Sequence, residues 1–239
     1  MDLTDSSDFV NLVLHEENAN HATRSRIVEM GDVAIWKLQH FDLDTTEVEH
    51  FIGIARKHKV LILDLRGNSG GSVETEKVIV GSLFAKDIKI GDRVERKDTK
   101  ELIAKHQGHP FDGKLILLID AGSASASELL ARVIQLEHRG TVIGDKSAGA
   151  VMESRIYDDS RGMDVKFFYD FSVTEANLIM TDGKTLEKSG VTPDELLLPT
   201  GADLAAGRDP VLARAVELAG AKLDALEAGR IFPFDWPPL

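Results

Sequence analysis

The sequence of 239 residues contains no cysteine. Disulfides, thiolate metal sites and a cysteine nucleophile are excluded together, and the redox compartment is left undecided. No apolar run approaches the length of a membrane span, and the first residues, MDLTDSSDFVNLVL, have neither the basic leader nor the apolar stretch of a signal peptide. A sustained Lys/Arg run is missing as well: Lys+Arg 28 against Asp+Glu 40 gives a formal net charge of -12, which repels a phosphate backbone. Neither a membrane span nor a nucleic-acid partner is therefore expected. No pair of histidines has the HExxH spacing or another ligand spacing, so no metal and no cofactor are expected. Internal repeats and low-complexity tracts are also absent. What remains, 43% hydrophobic and 28% charged residues, is the composition of a globular chain with a real core. Its length suits one large domain, or one domain with a small appendage.

The chain reads as alternating elements. Residues 33–38 (VAIWKL) are short, apolar and β-prone, and a polar helix-like stretch follows over 44–58. VLILDLR at 60–66 is almost continuously apolar, as a strand covered on both faces should be. It runs into Gly67-Asn68-Ser69-Gly70-Gly71 and then a helix-compatible stretch over 75–84. Residues 86–105 are lysine-rich and are expected to be a solvated connection. A second buried strand, KLILLID at 114–120, leads into AGSASASELLARVIQLEH, a small-residue turn with an amphipathic helix after it. A third strand over 141–144 completes a β-α-β-α-β series, which predicts a largely parallel sheet with helical crossovers. Beyond Gly149, β-like pieces at 165–171 and 172–180 with the turn signal Thr181-Asp182-Gly183-Lys184 predict a hairpin-like layer. Asp209-Pro210 opens a helix expected to reach about Ala228, and the proline-rich RIFPFDWPPL after it is expected to be non-helical. The expected division is an N-terminal strand or linker segment over 1–32, a core over 33–229 and a tail over 230–239.

Two loops stand at the carboxyl ends of buried parallel strands, where ligands collect in open α/β sheets. The first, 67–72, carries two adjacent glycines whose N–H groups can point outward with no Cβ in the way, which suits an anion or oxyanion. It reads equally as an ordinary strand-to-helix turn, and dinucleotide and P-loop spacings are absent. The second presents Ser123, Ser125 and Ser127 just before a helix, where positive partial charge stabilises an alkoxide or a tetrahedral oxyanion. Capping explains it equally well, since Ser125 and Glu128 have the spacing of a capping box.

Taken together and in order, VLILDLRGNSGG, KLILLIDAGSASASELLARVIQ, GTVIGDKSAGAV and GKTLEKSGVTPDE resemble the catalytic domain of the C-terminal processing (tail-specific) serine proteases. The wider group includes the tricorn core protease and the interphotoreceptor retinoid-binding protein. The likeness covers residues 28–216, and Ser-Ala-Ser-Ala-Ser-Glu is its most specific piece. It implies an α/β fold of the ClpP/crotonase type and a serine-type endopeptidase. The nucleophile then maps to Ser125, and the oxyanion donors map to the backbone N–H of Ala126 and of Gly71 or Gly70. Most relatives imply a periplasmic or secreted setting and the tricorn branch a cytosolic one, so the compartment is not fixed. A polypeptide substrate is implied, and self-association into a homo-oligomer is left open.

The general base is where the pattern departs. In the Ser-Lys members a lysine follows the last glycine of the segment that reads here Gly144-Asp145-Lys146-Ser147-Ala148-Gly149, and that position is Ala150. Lys146 lies four residues too early to take the same part. The tricorn-like branch resembles instead a Ser-His arrangement supported by a second serine and a glutamate; the glutamate maps to Glu187, where a carboxylate can orient an imidazole. Its histidine comes from a segment ahead of a PDZ-like insertion, and this sequence resembles the stretch after that point. Eight histidines remain as substitutes: His15, His21, His40, His50, His58, His106, His109 and His138. His40 is the least implausible base, because it follows a strand of the same sheet. The alternative is a catalytically weak or inactive module that holds an apolar peptide or small lipophilic ligand in the same cleft.

Overall fold

The computed structural model describes residues 25–162, 165 and 167–233. Six strands, β1 (Arg26–Met30), β2 (Val33–Lys37), β3 (Val60–Asp64), β6 (Lys114–Ile119), β7 (Gly140–Gly144) and β10 (Glu195–Leu196), form one sheet in that order. From β2 to β10 the pairing is parallel, while β1 runs antiparallel along β2 at the edge. Every residue of β2 and β3 is buried, which explains their near-continuous apolar sequence.

The period of two along the strands divides the core between the faces. Ala34, Trp36, Leu61, Leu63, Leu115 and Leu117 point to one side, against α1 (Thr45–Ala55), α2 (Val73–Leu83) and α3 (Ala126–Leu136). Ile35, Ile62, Ile116 and Leu118 point to the other, against α5 (Pro210–Leu218) and α6 (Ala225–Ile231), with the short α4 (Gly201–Ala205) beside them in sequence. Each fully buried aliphatic side chain contributes about 1.5–3 kcal/mol relative to exposure. The caps are local: Asp44 and Glu47 form a capping box ahead of α1, and the Asp209 carboxylate accepts the Leu212 amide at 2.9 Å ahead of α5. Asp209 also takes both ends of the Arg66 guanidinium, at 2.9 and 2.7 Å, and Arg66 grips Asp64 at 3.0 and 2.8 Å.

A second sheet, wholly antiparallel, joins β5 (Thr99–Ala104), β4 (Ile88–Glu95), β9 (Phe167–Met180) and β8 (Glu153–Arg161) in that order. Residues 86–105 are thus not a solvated connection. Ile88, Ile90, Leu102 and Ala104 face the core, Lys89 stands on the other face and bridges Glu101 at 2.8 Å, and Lys86, Lys97, Lys100 and Lys105 are exposed at the strand ends or beyond them. The two pieces at 165–171 and 172–180 are likewise one strand of 14 residues, because no turn-forming residue separates Phe171 from Ser172; its hairpin partner is the preceding β8. Residues 181–183 turn the chain into a single bridge between Ile179 and Thr185. The helix expected over 210–228 is two. Gly220, at φ +83°, ends the first, and Asp224 caps the second, its carboxylate accepting the Leu226 and Glu227 amides. Helix α6 runs through Ile231, so the non-helical stretch starts later than expected, and positions 234–239 of the tail lie outside the described residues.

A candidate active site at the carboxyl edge of the sheet

Because β3 pairs directly with β6, their following loops are neighbours at the carboxyl edge. Asn68 pins them together. Its carbonyl accepts the Ala124 amide (2.9 Å) and the Ser127 hydroxyl (2.8 Å), while its side chain donates to Leu38 O (2.9 Å) and accepts the Gly70 amide (2.8 Å). The contact is close enough to require glycine: a Cβ on Gly70, at φ +101°, would lie 2.6 Å from the Ser125 Cβ. One on Gly71, at φ +142°, would lie 2.6 Å from Phe41 O.

The three serines separate in role. Ser123 and Ser127 are fully buried and tie the loop down, Ser123 donating to Leu65 O (2.8 Å) and Ser127 to Asn68 O. Ser125 is half-buried, sits at the N-cap position of α3, and makes no side-chain cap bond. Its backbone, at φ +54° and ψ -120°, is a conformation that L-residues avoid, with a cost of about 1–3 kcal/mol. What holds it there is a pair of bonds from its amide, to Ala150 O at 2.9 Å and to the Glu128 carboxylate at 3.1 Å. The same carboxylate, wholly buried, accepts the Ser147 hydroxyl (2.6 Å) and the amides of Gly149 (2.7 Å) and Ala150 (2.9 Å). Glu128 is therefore the hub that fixes the 147–150 loop against the serine loop.

Ser125 opens into a cleft of about 190 Å³ that Gly71, Ala126, Val73, Leu129, Val151 and Leu178 also line. The amides of Gly71 and Ala126 find no acceptor among the described residues, whereas the Gly70 amide is taken by Asn68. A hydroxyl beside two uncommitted N–H groups at a helix start can attack a carbonyl carbon and receive the oxygen's developing charge. Two carboxylates share the lining, Glu76 and Glu153. Arg93 clasps Glu153 at 2.7 and 2.8 Å, and burial pushes the Glu76 carboxyl well above the usual carboxylate range, against the weaker pull of Lys77.

The family model for peptidase family S41 matches residues 32–197. The chain belongs to peptidase family S41. It is 30% identical over 136 residues to the carboxyl-terminal-processing protease of Synechocystis sp., covering 57% of this chain and 30% of that one. It is 29% identical over 172 residues to the tail-specific protease of Haemophilus influenzae, covering 68% of this chain and 24% of that one. The matched part of this chain thus spans less than a third of the length of either of these relatives. A solved Parabacteroides merdae structure superposes with a TM-score of 0.68 at 18% identity, covering 85% of this chain and 68% of that one, and shares the α/β fold.

The cleft leaves several candidates apart. Ala150 has no basic side chain to offer; its backbone instead brackets Ser125, accepting that amide and donating to Glu128. Lys146 is exposed and does not line the cleft. Glu187 accepts the amides of Val151 (3.0 Å) and Met152 (3.3 Å), bracing one cleft wall, and no imidazole bonds it among the described residues. His58 is engaged by Gly31 O and Glu29, and His106 by Phe84 O. Neither these nor His40, His50, His109 or His138 line the cleft. His15 and His21 lie outside the described residues. The sequence reading missed Asn68 and Glu76 entirely, and saw in Glu128 only a capping partner. For Asn68 the signal was present, an amide between a strand end and a glycine pair; for Glu76, one of two acidic residues opening a helix, there was none.

Proposed function

We propose that this chain is the catalytic core of a serine-type endopeptidase that cleaves polypeptides through an acyl-enzyme on Ser125. In this reading the Ser125 oxygen bonds to the peptide carbonyl carbon, and the amides of Gly71 and Ala126 hold the oxyanion. The C–N bond then breaks, the amine leaves with a proton, and water hydrolyses the ester. Gly70 supports this arrangement through its close approach to Ser125 rather than as a donor, since its own amide is committed to Asn68. The observation that carries the proposal is a strained, half-buried serine that lines one cleft together with Gly71 and Ala126, whose amides have no acceptor among the described residues. Glu187 acts here through the cleft wall, positioning Val151 and Met152.

A second reading has its own observation: among the described residues, no imidazole or amine lines the cleft. A protein without a base would hold an apolar peptide or small lipophilic ligand there and cleave it weakly or not at all. Oxyanion donors alone retain part of the rate enhancement. A fluorophosphonate probe separates the two. A mass adduct on Ser125 that disappears in Ser125→Ala is expected for an activated nucleophile. Absence of the adduct, with retained binding of apolar peptides, would select the binding module.

A further inference from the structure

Glu76 is wholly buried, and among the described residues neither of its carboxylate oxygens has a hydrogen-bond partner. That is an expensive arrangement, because a buried polar group without a partner forfeits its hydration with nothing in return. Glu76 is also one of the residues lining the cleft that Ser125 lines. The neighbouring charges do not relieve it. Lys77, the next residue along the helix, is bonded to Glu74 at 2.8 Å, and Glu153, the other acid of the lining, is already clasped by Arg93. No lysine, arginine or histidine lines the cleft among the described residues. The remaining walls are aliphatic: Val73, Leu129, Val151 and Leu178.

A buried, unpaired acid beside an aliphatic lining has a specific complement, a side chain with an aliphatic stem and a cationic head. We propose that the cleft is a seat for a lysine or arginine side chain of the polypeptide substrate, at or next to the attacked bond, with Glu76 as the residue that selects it. The stem lies along Val73, Leu129, Val151 and Leu178, and the ammonium or guanidinium supplies the partner that Glu76 lacks in the empty cleft. Selection against acidic side chains follows from the same carboxylate together with Glu153. This inference rests on the reading of the cleft as the polypeptide site but does not require that Ser125 be activated.

The test therefore measures binding to Ser125→Ala protein, where no cleavage interferes. The probes are acetylated, amidated hexapeptides of alanine with one variable residue, either lysine, arginine, norleucine or glutamate, so that the peptide chooses its own register. Titration calorimetry should give the lysine and arginine peptides an affinity about tenfold or more above norleucine, the scale of one close charge pair, with glutamate weakest. In Ser125→Ala/Glu76→Gln that preference should fall to near unity while the norleucine peptide keeps its affinity; unchanged far-ultraviolet dichroism checks that this variant folds. Equal binding of lysine and norleucine, or a lysine preference that survives Glu76→Gln, overturns the cation seat and leaves the cleft as a polypeptide site. Binding of none of the peptides overturns both. A positive fluorophosphonate adduct with no cationic preference would leave the peptidase reading standing and remove this one alone.

Discussion

The two helix starts that flank the cleft each bury a glutamate, and the two glutamates could hardly be treated more differently. Glu128, on the α3 side, receives hydrogen bonds from Ser125, Ser147, Gly149 and Ala150. Glu76, on the α2 side, receives none among the described residues. Both are fully buried, so burial alone explains neither. The difference is in the loops opposite. A loop with several otherwise unpaired amides closes over Glu128 and spends them on it, whereas no amide reaches Glu76 among the described residues. A satisfied buried carboxylate stabilises one conformation; an unsatisfied one reports a group that is to arrive later.

The largest effect is expected on the satisfied side. Glu128→Ala strands a hydroxyl and the amides of Gly149 and Ala150 at once and removes one of the two bonds that hold Ser125 in its strained backbone. Unfolding in urea should show a loss of about 3–5 kcal/mol, the range for breaking a buried charged network. Fluorophosphonate labelling of Ser125 should disappear with it, because the serine relaxes toward an ordinary N-cap. A loss below about 1 kcal/mol would show that Glu128 is not the hub, and the contrast between the two sides would lose its stronger half.

A third buried acid sharpens the contrast, because it is satisfied mainly by cations, Arg66 and Lys37, with the Arg66 amide beside them. Burial alone would raise Asp64, but Arg66 and then Lys37 overcome it and hold the carboxyl well below the usual carboxylate range. A depressed folded-state value stabilises the protein above the unfolded value of about 3.9, and that stability is lost as pH falls toward the folded value. Asp64→Asn should therefore cost about 2–3 kcal/mol at pH 7, somewhat less than removing Glu128 because the amide keeps one acceptor. The gap between the two proteins should narrow on moving from pH 5 to pH 2 in urea titrations. A gap independent of pH would mean that Asp64 acts by shape and not by charge.

How much of this was legible in the sequence follows from how local each signal is. VLILD and KLILLI announce buried strands by themselves, and two such strands side by side bring Gly70 and Ser125 together, since each loop simply follows its strand. The second sheet was hidden because Lys89, Lys100 and Lys105 dominate the composition of 86–105, while the alternation of Ile88 and Ile90 against Leu102 and Ala104 is carried by few residues. Gly220 was overlooked among good helix formers for a related reason: one positive φ outweighs the propensity of its neighbours. Glu76 was not legible at all. VETEKVIV reads as a helix with a solvated acidic start, and only the packing of α2 beneath its neighbours puts that side chain inside. The base remained unread because the position that carries lysine in Ser-Lys relatives is Ala150, and no described histidine lines the cleft.

The smallest effect carries the opposite sign and is the most direct way to break the comparison. If Glu76 serves an absent cation and does nothing for the fold, then Glu76→Gln should not destabilise the empty protein; it should stabilise it, by about 1 kcal/mol at pH 7. The sign of its pH dependence reverses that of Asp64. Burial raises the folded-state value of Glu76, so the unfolded chain releases its proton near pH 4.3 while the folded one keeps it. In that window the folded state binds more protons, and wild-type stability falls as pH rises. Of the charged groups nearby, Lys77 is bonded to Glu74 and Glu153 to Arg93. The Glu76→Gln advantage should thus be near zero at pH 4 and grow above it, until pH passes the folded-state value. A Glu76→Gln protein less stable than wild type at every pH would mean that the carboxyl has a structural partner after all, and the two sides of the cleft would differ in degree instead of in kind.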